Sequence, residues 1–347
     1  MKIDIAELWS GEEQLLLDVR TPAEFAKGHI PGAVNFPLFS DEERVEVGTL
    51  YKKVSPQEAL LKGLEKVGPK MSSFVREAMS LADGKRIVLH CWRGGKRSGS
   101  MGWLLGLAGL RVATINGGYK AYRKFIVKEL QDRVLKMCIL GGKTGCGKTE
   151  ILTALREKGA QVIDLEALAH HKGSAFGALG ETPQPSVEQF ENNLYEVFRQ
   201  TKTNEPVWVE NENRLIGKVF LPEGFWKQMK IAPLFQLERS LAQRKAIILA
   251  QYGDYPIAAI QQSFEKIKKR LGGQNMQLAT AALERKNLAE AVEIALYYYD
   301  KAYQYYLDKN TTPIIQKLNV GAANNAQIAD QLIQLSKAIL RKPEHQS

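Results

Sequence analysis

Short apolar runs alternate with helical stretches along this chain, and two of the runs lead directly into glycine-rich loops. Residues 87–89 precede the first loop and residues 134–140 precede the second. Continuous apolar runs of this length predict buried strands, and the segments 101–105 and 150–158 that follow predict helices. Strands that alternate with helices predict an α/β fold with parallel sheets, in which ligands bind at the carboxyl ends of the strands.

The remaining pattern predicts a two-domain organisation. Further strands are predicted at 161–164 and 206–210, helices within 39–79, a helical hairpin over 276–307 that bends near 286–287, and a last helix over 326–340. A chain of 347 residues is long enough for two domains. We predict a first domain over 1–130, a second domain over 131–310 that contains the second glycine-rich loop, and a C-terminal helical extension over 311–347.

The first glycine-rich loop carries a cysteine at a predicted strand-to-helix turn. Cys91 follows the apolar run, and Arg93, Lys96 and Arg97 lie within the next six residues. Backbone N–H groups at a helix N-terminus favour negative charge, and neighbouring cations lower the pKa of a cysteine. We therefore predict that Cys91 is a catalytic thiolate in an anion-binding loop. That loop consists of Trp92, Arg93, Gly94, Gly95, Lys96, Arg97 and Ser98.

The second loop has the spacing of a phosphate-binding P-loop. Its pattern is Gly142-x4-Gly147-Lys148-Thr149, between a predicted strand and a predicted helix. Glycines let the backbone amides surround phosphate oxygens, Lys148 adds a point charge, and Thr149 can reach a Mg²⁺ ion. Cys146 occupies a variable position and is not predicted to be a nucleophile. The predicted phosphate-binding residues are Gly142, Lys143, Thr144, Gly145, Cys146, Gly147, Lys148 and Thr149.

Four residues are candidates for a supporting role near the P-loop. Asp164 and Glu210 end predicted strands, where they could contact Mg²⁺ or substrate or simply be strand-end acids. Arg239 and Arg244 lie five residues apart on a predicted helix, from which they could close over a phosphate. A solvated helix face is the alternative for both arginines.

Charge adds one candidate surface. The chain carries a formal net charge of +10, divided evenly between the residues before and after 130. Such an excess suits a polyanion but is equally compatible with a merely basic protein. The densest run of cations is a candidate contact to a nucleic-acid backbone, with a charged helix end as the alternative. It consists of Lys266, Lys268, Lys269 and Arg270.

Composition excludes several classes of protein. Three cysteines do not form a disulfide framework and fit a reducing cytoplasm, which we predict as the location. The chain contains no stretch of eighteen apolar residues, so we predict no membrane span. The first residues lack the apolar core of a secretory signal. No cluster of cysteine and histidine has metal-ligand spacing, so no metal-binding residues are predicted.

Residues 17–37 resemble the signature of the rhodanese fold, an Asp-Val-Arg strand end followed by Glu-Phe and Gly-His-Ile-Pro-Gly-Ala. The turn at 117–119 is similar to the end of such a domain. The resemblance implies that Asp18 braces the sheet and that Cys91 carries a persulfide. Five residues separate Cys91 from Arg97, one more than in the usual sulfurtransferase loop, as in related phosphatases and arsenate reductases. The loop is therefore suited to a tetrahedral oxyanion or its selenium analogue.

Together, the two loops resemble the bacterial tRNA 2-selenouridine synthases. Four parts of the sequence carry the resemblance: residues 17–37, the Cys91 loop together with residues 117–123, the P-loop together with residues 164–177, and residues 210–217. It implies a tRNA substrate with 2-thiouridine at the wobble position, which geranyl diphosphate alkylates to an S-geranyl intermediate. Selenophosphate then supplies selenium, with Cys91 as nucleophile or selenium carrier. No tightly bound cofactor is implied, and Mg²⁺ is a candidate companion of the diphosphate.

Three alternatives remain open at this point. A rhodanese-type tRNA sulfurtransferase would use a Cys91 persulfide, with ATP bound at the P-loop. A phosphatase or small-molecule kinase would use one of the two loops alone. A nucleotide-gated adaptor would use neither for chemistry.

Overall fold

Two parallel sheets organise the chain, one in each of the two units into which the computed structural model divides. The structure describes residues 1–9, 11, 13–309, 314–321 and 323–340. The first unit covers 1–129 together with 191–193, and the second covers 130–190 and the chain from 194 onward.

The first unit is built on a five-stranded sheet in the order β1-β5-β4-β2-β3, with every pair of neighbours parallel. Its strands are β1 (Lys2–Ile3), β2 (Gln14–Asp18), β3 (Val34–Asn35), β4 (Arg86–His90) and β5 (Val112–Ile115). Strand β4 lies at the centre, and the side chains of its residues 87–90 are all fully buried. Burial on both faces explains why this strand is continuously apolar up to His90.

Six helices complete the first unit. They are α1 (Pro22–Lys27), α2 (Asp41–Lys53), α3 (Pro56–Val67), α4 (Met71–Ala82), α5 (Lys96–Leu107) and α6 (Gly118–Asp132). Local sequence fixes several of their N-termini: Thr21 with Glu24, and Ser40 with Glu43, form capping boxes that satisfy free backbone N–H groups. The helices predicted within 39–79 are thus confirmed as α2, α3 and α4.

The second unit contains a five-stranded parallel sheet in the order β12-β11-β6-β8-β7, and a separate two-stranded antiparallel ribbon, β9 with β10. The strands are β6 (Lys136–Gly142), β7 (Gln161–Ile163), β8 (Pro206–Glu210), β9 (Leu215–Ile216), β10 (Val219–Phe220), β11 (Leu234–Glu238) and β12 (Ile314–Asn319). Because β6 is the central strand, the loop that follows it emerges at the middle of the sheet's carboxyl edge.

The helices of the second unit connect its strands and also form a separate helical cluster. They are α7 (Lys148–Glu157), α8 (Leu165–Ala169), α9 (Val187–Gln200), α10 (Glu223–Ile231), α11 (Leu241–Tyr252), α12 (Ile257–Leu271), α13 (Gly273–Glu284), α14 (Leu288–Lys309) and α15 (Asn325–Leu340). Helices α7 and α15 contribute to the core of the sheet, whereas α12, α13 and α14 form an apolar cluster of their own. Lys286, with φ +58°, lies in the turn between α13 and α14 and confirms the predicted hairpin.

The predicted α/β class with parallel sheets is confirmed, but several strands escape the sequence pattern, and two of them belong to the sheet that carries the P-loop. Residues 234–238 form β11, next to the P-loop strand, and 314–319 form β12 at the sheet edge. The prediction of a purely helical extension from 311 is therefore wrong at β12, which hydrogen-bonds to β11 and belongs to the sheet. The predicted boundary at 310 and 311 lies outside the described residues.

Across the part of the chain that the structure describes, no helix combines the length and the apolar character required to cross a membrane.

Candidate active sites

The thiol of Cys91 lies where β4 ends and the loop to α5 begins. The residue is only 4% exposed. Its Sγ accepts hydrogen bonds from the backbone N–H of Gly95 and from the hydroxyl of Ser98, both at 3.3 Å. The sulfur thus faces polar donors inside an otherwise apolar core, an arrangement that favours the anion.

These hydrogen-bond donors lower the pKa of the Cys91 thiol. Burial alone would raise the pKa of Cys91, but hydrogen bonds from the Ser98 hydroxyl and from the backbone N–H groups of Ser98, Gly95 and Arg93 lower it below its ordinary value. In contrast, burial raises the pKa of Cys138 to about 12 and also raises the pKa of Cys146. Cys91 is therefore the cysteine whose surroundings favour the anion, whereas the surroundings of Cys146 disfavour it.

Two glycines hold the Cys91 loop against the start of α6. The backbone N–H of Tyr119 donates to the carbonyl of Cys91, and that of Lys120 donates to the carbonyl of Trp92, both at 2.9 Å. A Cβ on Gly118 would lie 2.3 Å from the Cys91 carbonyl oxygen, and a Cβ on Gly94 would lie 2.6 Å from a backbone oxygen of β5. Because the carbonyls of Cys91 and Trp92 accept hydrogen bonds from α6, the amides of the Cys91 loop remain available to the sulfur.

The cations of the loop act differently from the prediction. The guanidinium of Arg97 forms an ion pair with Glu24, at 2.5 Å. Arg93, Lys96 and Trp92 are exposed, and the charges of the three cations are not among the leading causes of the lowered Cys91 pKa. Amides and a hydroxyl stabilise the thiolate directly, so the exposed cations are free to attract an incoming anion.

Asp18 ends β2, where it is paired with His90 of β4, the residue before Cys91. Its carboxylate accepts hydrogen bonds from Arg20, at 2.6 Å from Nη2, and both side chains are buried. The guanidinium of Arg20 also lies 3.8 Å from the centre of the Tyr119 ring. The neighbouring His90 is fully buried, and burial lowers its pKa to about 4, which keeps the imidazole neutral near pH 7.

The P-loop of the second unit connects β6 to α7. Gly142, Gly145 and Gly147 all have positive φ values, which glycine adopts without a Cβ penalty. The buried guanidinium of Arg244 donates to the carbonyl of Thr144 at 3.1 Å, and Arg239 donates to the carbonyl of Cys146 at 3.1 Å. With these carbonyls engaged from behind, the loop amides are free to face a ligand.

This arrangement corrects the predicted role of the two arginines. Arg239 precedes α11 rather than lying on it, and Arg244 forms a bidentate ion pair with Asp300 of α14, at 2.8 and 2.7 Å. Both side chains donate hydrogen bonds to backbone carbonyls of the P-loop instead of closing over a phosphate. The sequence places them correctly beside the site, but their direction depends on tertiary packing.

The acids near the P-loop also differ from those predicted. Asp164 caps α8, and the fully buried Glu210 accepts a hydrogen bond from the backbone N–H of Glu166 at 2.6 Å. Burial raises the pKa of Glu210 well above its usual range. Within the described residues, Glu166 and Glu212 line the cavity at the P-loop, and Asp164 and Glu210 do not. The predicted pair is therefore structural, and its near neighbours face the site.

Glu166 and Glu212 form a crowded carboxylate pair opposite Lys148. A Cβ on Gly173 would lie 2.6 to 2.7 Å from oxygens of both carboxylates, and its φ of +61° favours glycine. Burial, followed by the charge of Glu212, raises the pKa of Glu166 to about 8. Burial would lower the pKa of Lys148, but the two carboxylates raise it above the ordinary value. Lys148 is therefore a cation at neutral pH.

These groups fit a magnesium ion accompanied by phosphate. Thr149 Oγ1 lies 3.5 Å from Glu166 Oε2, and Mg²⁺ prefers carboxylate, hydroxyl and phosphate oxygens. A cation would relieve the repulsion that raises the pKa of Glu166. In the described residues, no group of three or more His, Cys, Asp or Glu side chains could hold a metal by itself. Phosphate oxygens would have to complete the coordination.

A cavity of about 420 Å³ extends from the P-loop. One end is polar and contains the loop, Lys148, Glu166 and Glu212. Most of the remaining wall is apolar or aromatic and is supplied largely by α11, α12 and α14, although several polar side chains also line it: Lys172, Ser174, Asn211, Asn213, Gln251 and Arg270. Its apolar and aromatic wall includes Phe176, Ile247, Ile248, Tyr252, Ile260, Phe264, Leu288, Val292, Ala295, Leu296, Tyr299, Ala302 and Tyr303. The cavity therefore suits a ligand with an anionic head and a hydrocarbon tail.

The predicted basic run lies at the C-terminal end of α12. Lys266, Lys268, Lys269 and Arg270 are all exposed. Lys268 lies 3.3 Å from Glu265, whereas Arg270 contributes to the wall of the cavity. The run is thus a cationic surface beside the second site.

The two sites define a class of protein: an enzyme that combines a rhodanese-like domain with a P-loop domain. A family model of rhodanese-like domains matches residues 4–125, and a model described as the tRNA 2-selenouridine synthase AAA domain matches 135–331. The chain belongs to the tRNA 2-selenouridine synthase family, as its sequence resemblance predicts.

Full-length relatives agree with this assignment. The tRNA 2-selenouridine synthase of Marinobacter nauticus is 34% identical over 340 residues, covering 86% of this chain and 90% of the relative. That of Shewanella halifaxensis is 36% identical over 340 residues, covering 87% and 91%. That of a Sulfurovum species is 33% identical over 338 residues, covering 88% and 92%. The similarity therefore spans both units.

Proposed function

We propose that this enzyme replaces the sulfur of 2-thiouridine at the tRNA wobble position with selenium, in two steps at two sites. In the first step, geranyl diphosphate alkylates the sulfur in the cavity of the second unit. In the second step, selenophosphate supplies selenium at the Cys91 loop. The observation that carries this proposal is the cavity itself, in which the P-loop is continuous with a wall where aliphatic and aromatic side chains are the most numerous.

The cavity favours an isoprenoid diphosphate over a nucleotide. A nucleotide would place a polar sugar and base beyond the phosphates, and these need hydrogen-bonding partners when buried. Beyond the P-loop most of the wall is formed by aliphatic and aromatic side chains, mainly of α14, although Lys172, Gln251 and Arg270 also line the cavity. Burial of a ten-carbon chain against such a wall is favourable by about 0.8 kcal/mol per CH₂ group.

The first step is a displacement at the C1 carbon of the geranyl group. A lone pair of the thiocarbonyl sulfur forms the S–C1 bond, and the bond between C1 and the diphosphate oxygen breaks. The P-loop amides and Lys148 stabilise the negative charge that develops on the leaving diphosphate. Thr149, Glu166 and Glu212 are the residues that would hold Mg²⁺, which supplies further charge neutralisation when bound.

The Cys91 loop suits the second step. Selenophosphate is a tetrahedral anion, and the amides around Cys91 Sγ with exposed Arg93 and Lys96 provide a positive environment for it. The C2–S bond breaks, geranyl thiol leaves, and a C2–Se bond forms while water takes the phosphoryl group as phosphate. Alkylation makes this feasible, because a thiol is a better leaving group than the sulfur of a thiocarbonyl. Cys91 is the nucleophile of this step: its thiolate forms a bond to C2 as geranyl thiol leaves, and the selenium of selenophosphate then displaces Cys91 Sγ from C2.

Two variants test the division of labour. In Cys91→Ala, we expect tRNA to accumulate S-geranyl-2-thiouridine without 2-selenouridine. In Lys148→Ala, we expect geranylation to fall by about 10²-fold, because one charge that stabilises the leaving group is lost. Mass spectrometry of nucleosides from tRNA treated with each variant measures both products. Cys138→Ala, which removes a buried thiol of the second unit, is the control for Cys91.

Equal loss of both products in Cys91→Ala would contradict separate sites, and unchanged geranylation in Lys148→Ala would contradict the role of the P-loop. The sulfurtransferase alternative predicts a different result. It requires sulfur transfer to uridine that depends on Cys91 and ATP and proceeds without selenophosphate.

A further inference from the structure

Helix α14 supplies a continuous stripe of side chains to the cavity of the second unit. The stripe consists of Leu288, Val292, Ala295, Leu296, Tyr298, Tyr299, Ala302 and Tyr303. These residues recur at intervals of three and four, so they lie on one side of the helix. The helix therefore runs beside the cavity, and positions along it mark successive depths.

The C-terminal part of α14 is the end next to the P-loop. Asp300 forms the ion pair with Arg244, which also binds the P-loop carbonyl of Thr144. A Cβ on Gly141, at the end of β6, would lie 3.3 Å from the hydroxyl of Tyr303. At 1.5 Å of rise per residue, Ala295 lies about 12 Å and Val292 about 16 Å from the level of Tyr303.

These depths can be compared with the lengths of isoprenoid chains. With ordinary carbon–carbon bond lengths and angles, the extended eight-carbon main chain of a geranyl group spans about 9 Å. The twelve-carbon main chain of a farnesyl group spans about 14 Å on the same basis. If the link to phosphate adds about 3 Å, a geranyl tail ends at the level of Ala295, and a farnesyl tail reaches Val292.

We infer that the side chains of α14 select the length of the isoprenoid chain, with Ala295 at the level where a geranyl tail ends. The inference rests on the proposed function and specifies its substrate. Ala295 is 6% exposed and belongs to the same buried cluster as Ile260 and Phe264, which also line the cavity. Because that cluster is closely packed, a larger side chain at 295 must enter the cavity. Val292 lies about one helical turn further from the P-loop, so a larger side chain at 292 excludes only chains longer than geranyl.

A competition experiment with the full-length protein tests this inference. Dimethylallyl, geranyl and farnesyl diphosphates are supplied together with tRNA that carries 2-thiouridine, and the S-alkylated nucleosides are quantified by mass spectrometry. For Ala295→Phe, we expect the ratio of geranyl to dimethylallyl transfer to fall by at least about tenfold. For Val292→Phe, we expect the ratio of farnesyl to geranyl transfer to fall. Ala289→Phe, on α14 but outside the cavity wall, should keep the wild-type ratios.

The outcomes separate the inference from the proposed function. Wild-type ratios in Ala295→Phe would overturn the inference, while geranylation by the wild-type enzyme would still support the proposed function. Failure of the wild-type enzyme to transfer any of the three groups would overturn both. Should Ala295→Phe fail to fold in a thermal unfolding measurement, Ala295→Leu is the second variant. The same shift toward the shorter chain is expected from it, and unchanged ratios in Ala295→Leu would equally overturn the inference.

Discussion

The protonation of one sulfur illustrates how this protein works at the scale of single residues. The sequence places cations around Cys91, and electrostatics suggests that they lower its pKa. In the folded chain, however, the leading contributions that lower the pKa are short-range hydrogen bonds from Ser98 and from the loop amides. A hydrogen bond at contact distance acts on the sulfur directly, whereas an exposed cation is screened by water.

Ser98→Ala tests this origin of the thiolate. Because the hydroxyl of Ser98 stabilises the anion, its removal should raise the pKa of Cys91, so that alkylation by iodoacetamide requires a higher pH. At pH 7, the alkylation rate should fall several-fold. The assay monitors Cys91, since burial raises the pKa values of both other cysteines. Ser100→Ala, an exposed serine on the same helix, serves as the control, and coincident pH profiles for both variants would disprove the role of Ser98.

At the scale of elements, the P-loop depends on contacts behind it. Helix α11 presents Arg244 to the loop carbonyl of Thr144, and α14 presents Asp300 to the same guanidinium. Three segments distant in sequence thus converge on one buried cation. The loop sequence specifies a phosphate site, but its rigidity comes from two helices that lie about 100 and 150 residues later in the chain.

Arg244→Ala tests the contribution of these helices. The variant leaves the Thr144 carbonyl without its partner, whereas Asp300 keeps an ion pair with Lys143 at 3.5 Å. We expect a loss of about 2 kcal/mol in the free energy of unfolding. The figure lies below that for a fully buried pair, because the Asp300 side chain is 23% exposed. Urea unfolding measures the loss, and KM for the diphosphate substrate should rise as the loop loosens.

The same two helices provide a matched control. Lys245 of α11 forms an ion pair with Glu293 of α14 at 2.7 Å, but both side chains are substantially exposed. Lys245→Ala should change the free energy of unfolding by no more than about 1 kcal/mol. If both variants lost the same stability, burial would not be the reason for the importance of Arg244.

At the scale of the whole molecule, the excess of positive charge is a property of both units. A net charge of +10 over 347 residues gives a field suited to a polyanion such as tRNA. The exposed cations of α12 lie on a helix that also lines the second cavity, which makes this surface a sensible place for phosphate contacts.

Salt dependence tests that surface. In the triple variant of Lys266, Lys268 and Lys269 to alanine, the slope of log K for tRNA binding against log salt should become shallower by about one for each lost phosphate contact. Filter binding over a range of salt concentrations measures it. The double variant of Lys52 and Lys53 on α2, both exposed, is the control for the loss of charge alone. An equal change of slope in both variants would argue against a localised contact.

The amino-acid sequence by itself determined the class of fold and the places of the two glycine-rich loops in it. Apolar runs ending in glycine-rich loops are local patterns, and they correctly predicted the strands β4 and β6, the helices after them, and the positions of Cys91 and Lys148. The rhodanese signature at 17–37 likewise predicted a strand that ends at Asp18, whose carboxylate accepts a hydrogen bond from a residue only two positions away. Short-range patterns succeed where the physical cause is itself short-range.

Only the tertiary structure decided which distant residues surround those centres. Strand pairing brought β11 and β12 into the sheet, although neither has a distinctive pattern, because their partners lie far away in the chain. In the folded chain Glu166 and Glu212 lie near Lys148, whereas Glu210 is buried. Which of these neighbouring acids reaches the cavity depends on the direction of each side chain. The apolar cavity requires the packing of α11, α12 and α14, whose alanines and tyrosines resemble an ordinary helical core until the helices are placed around it.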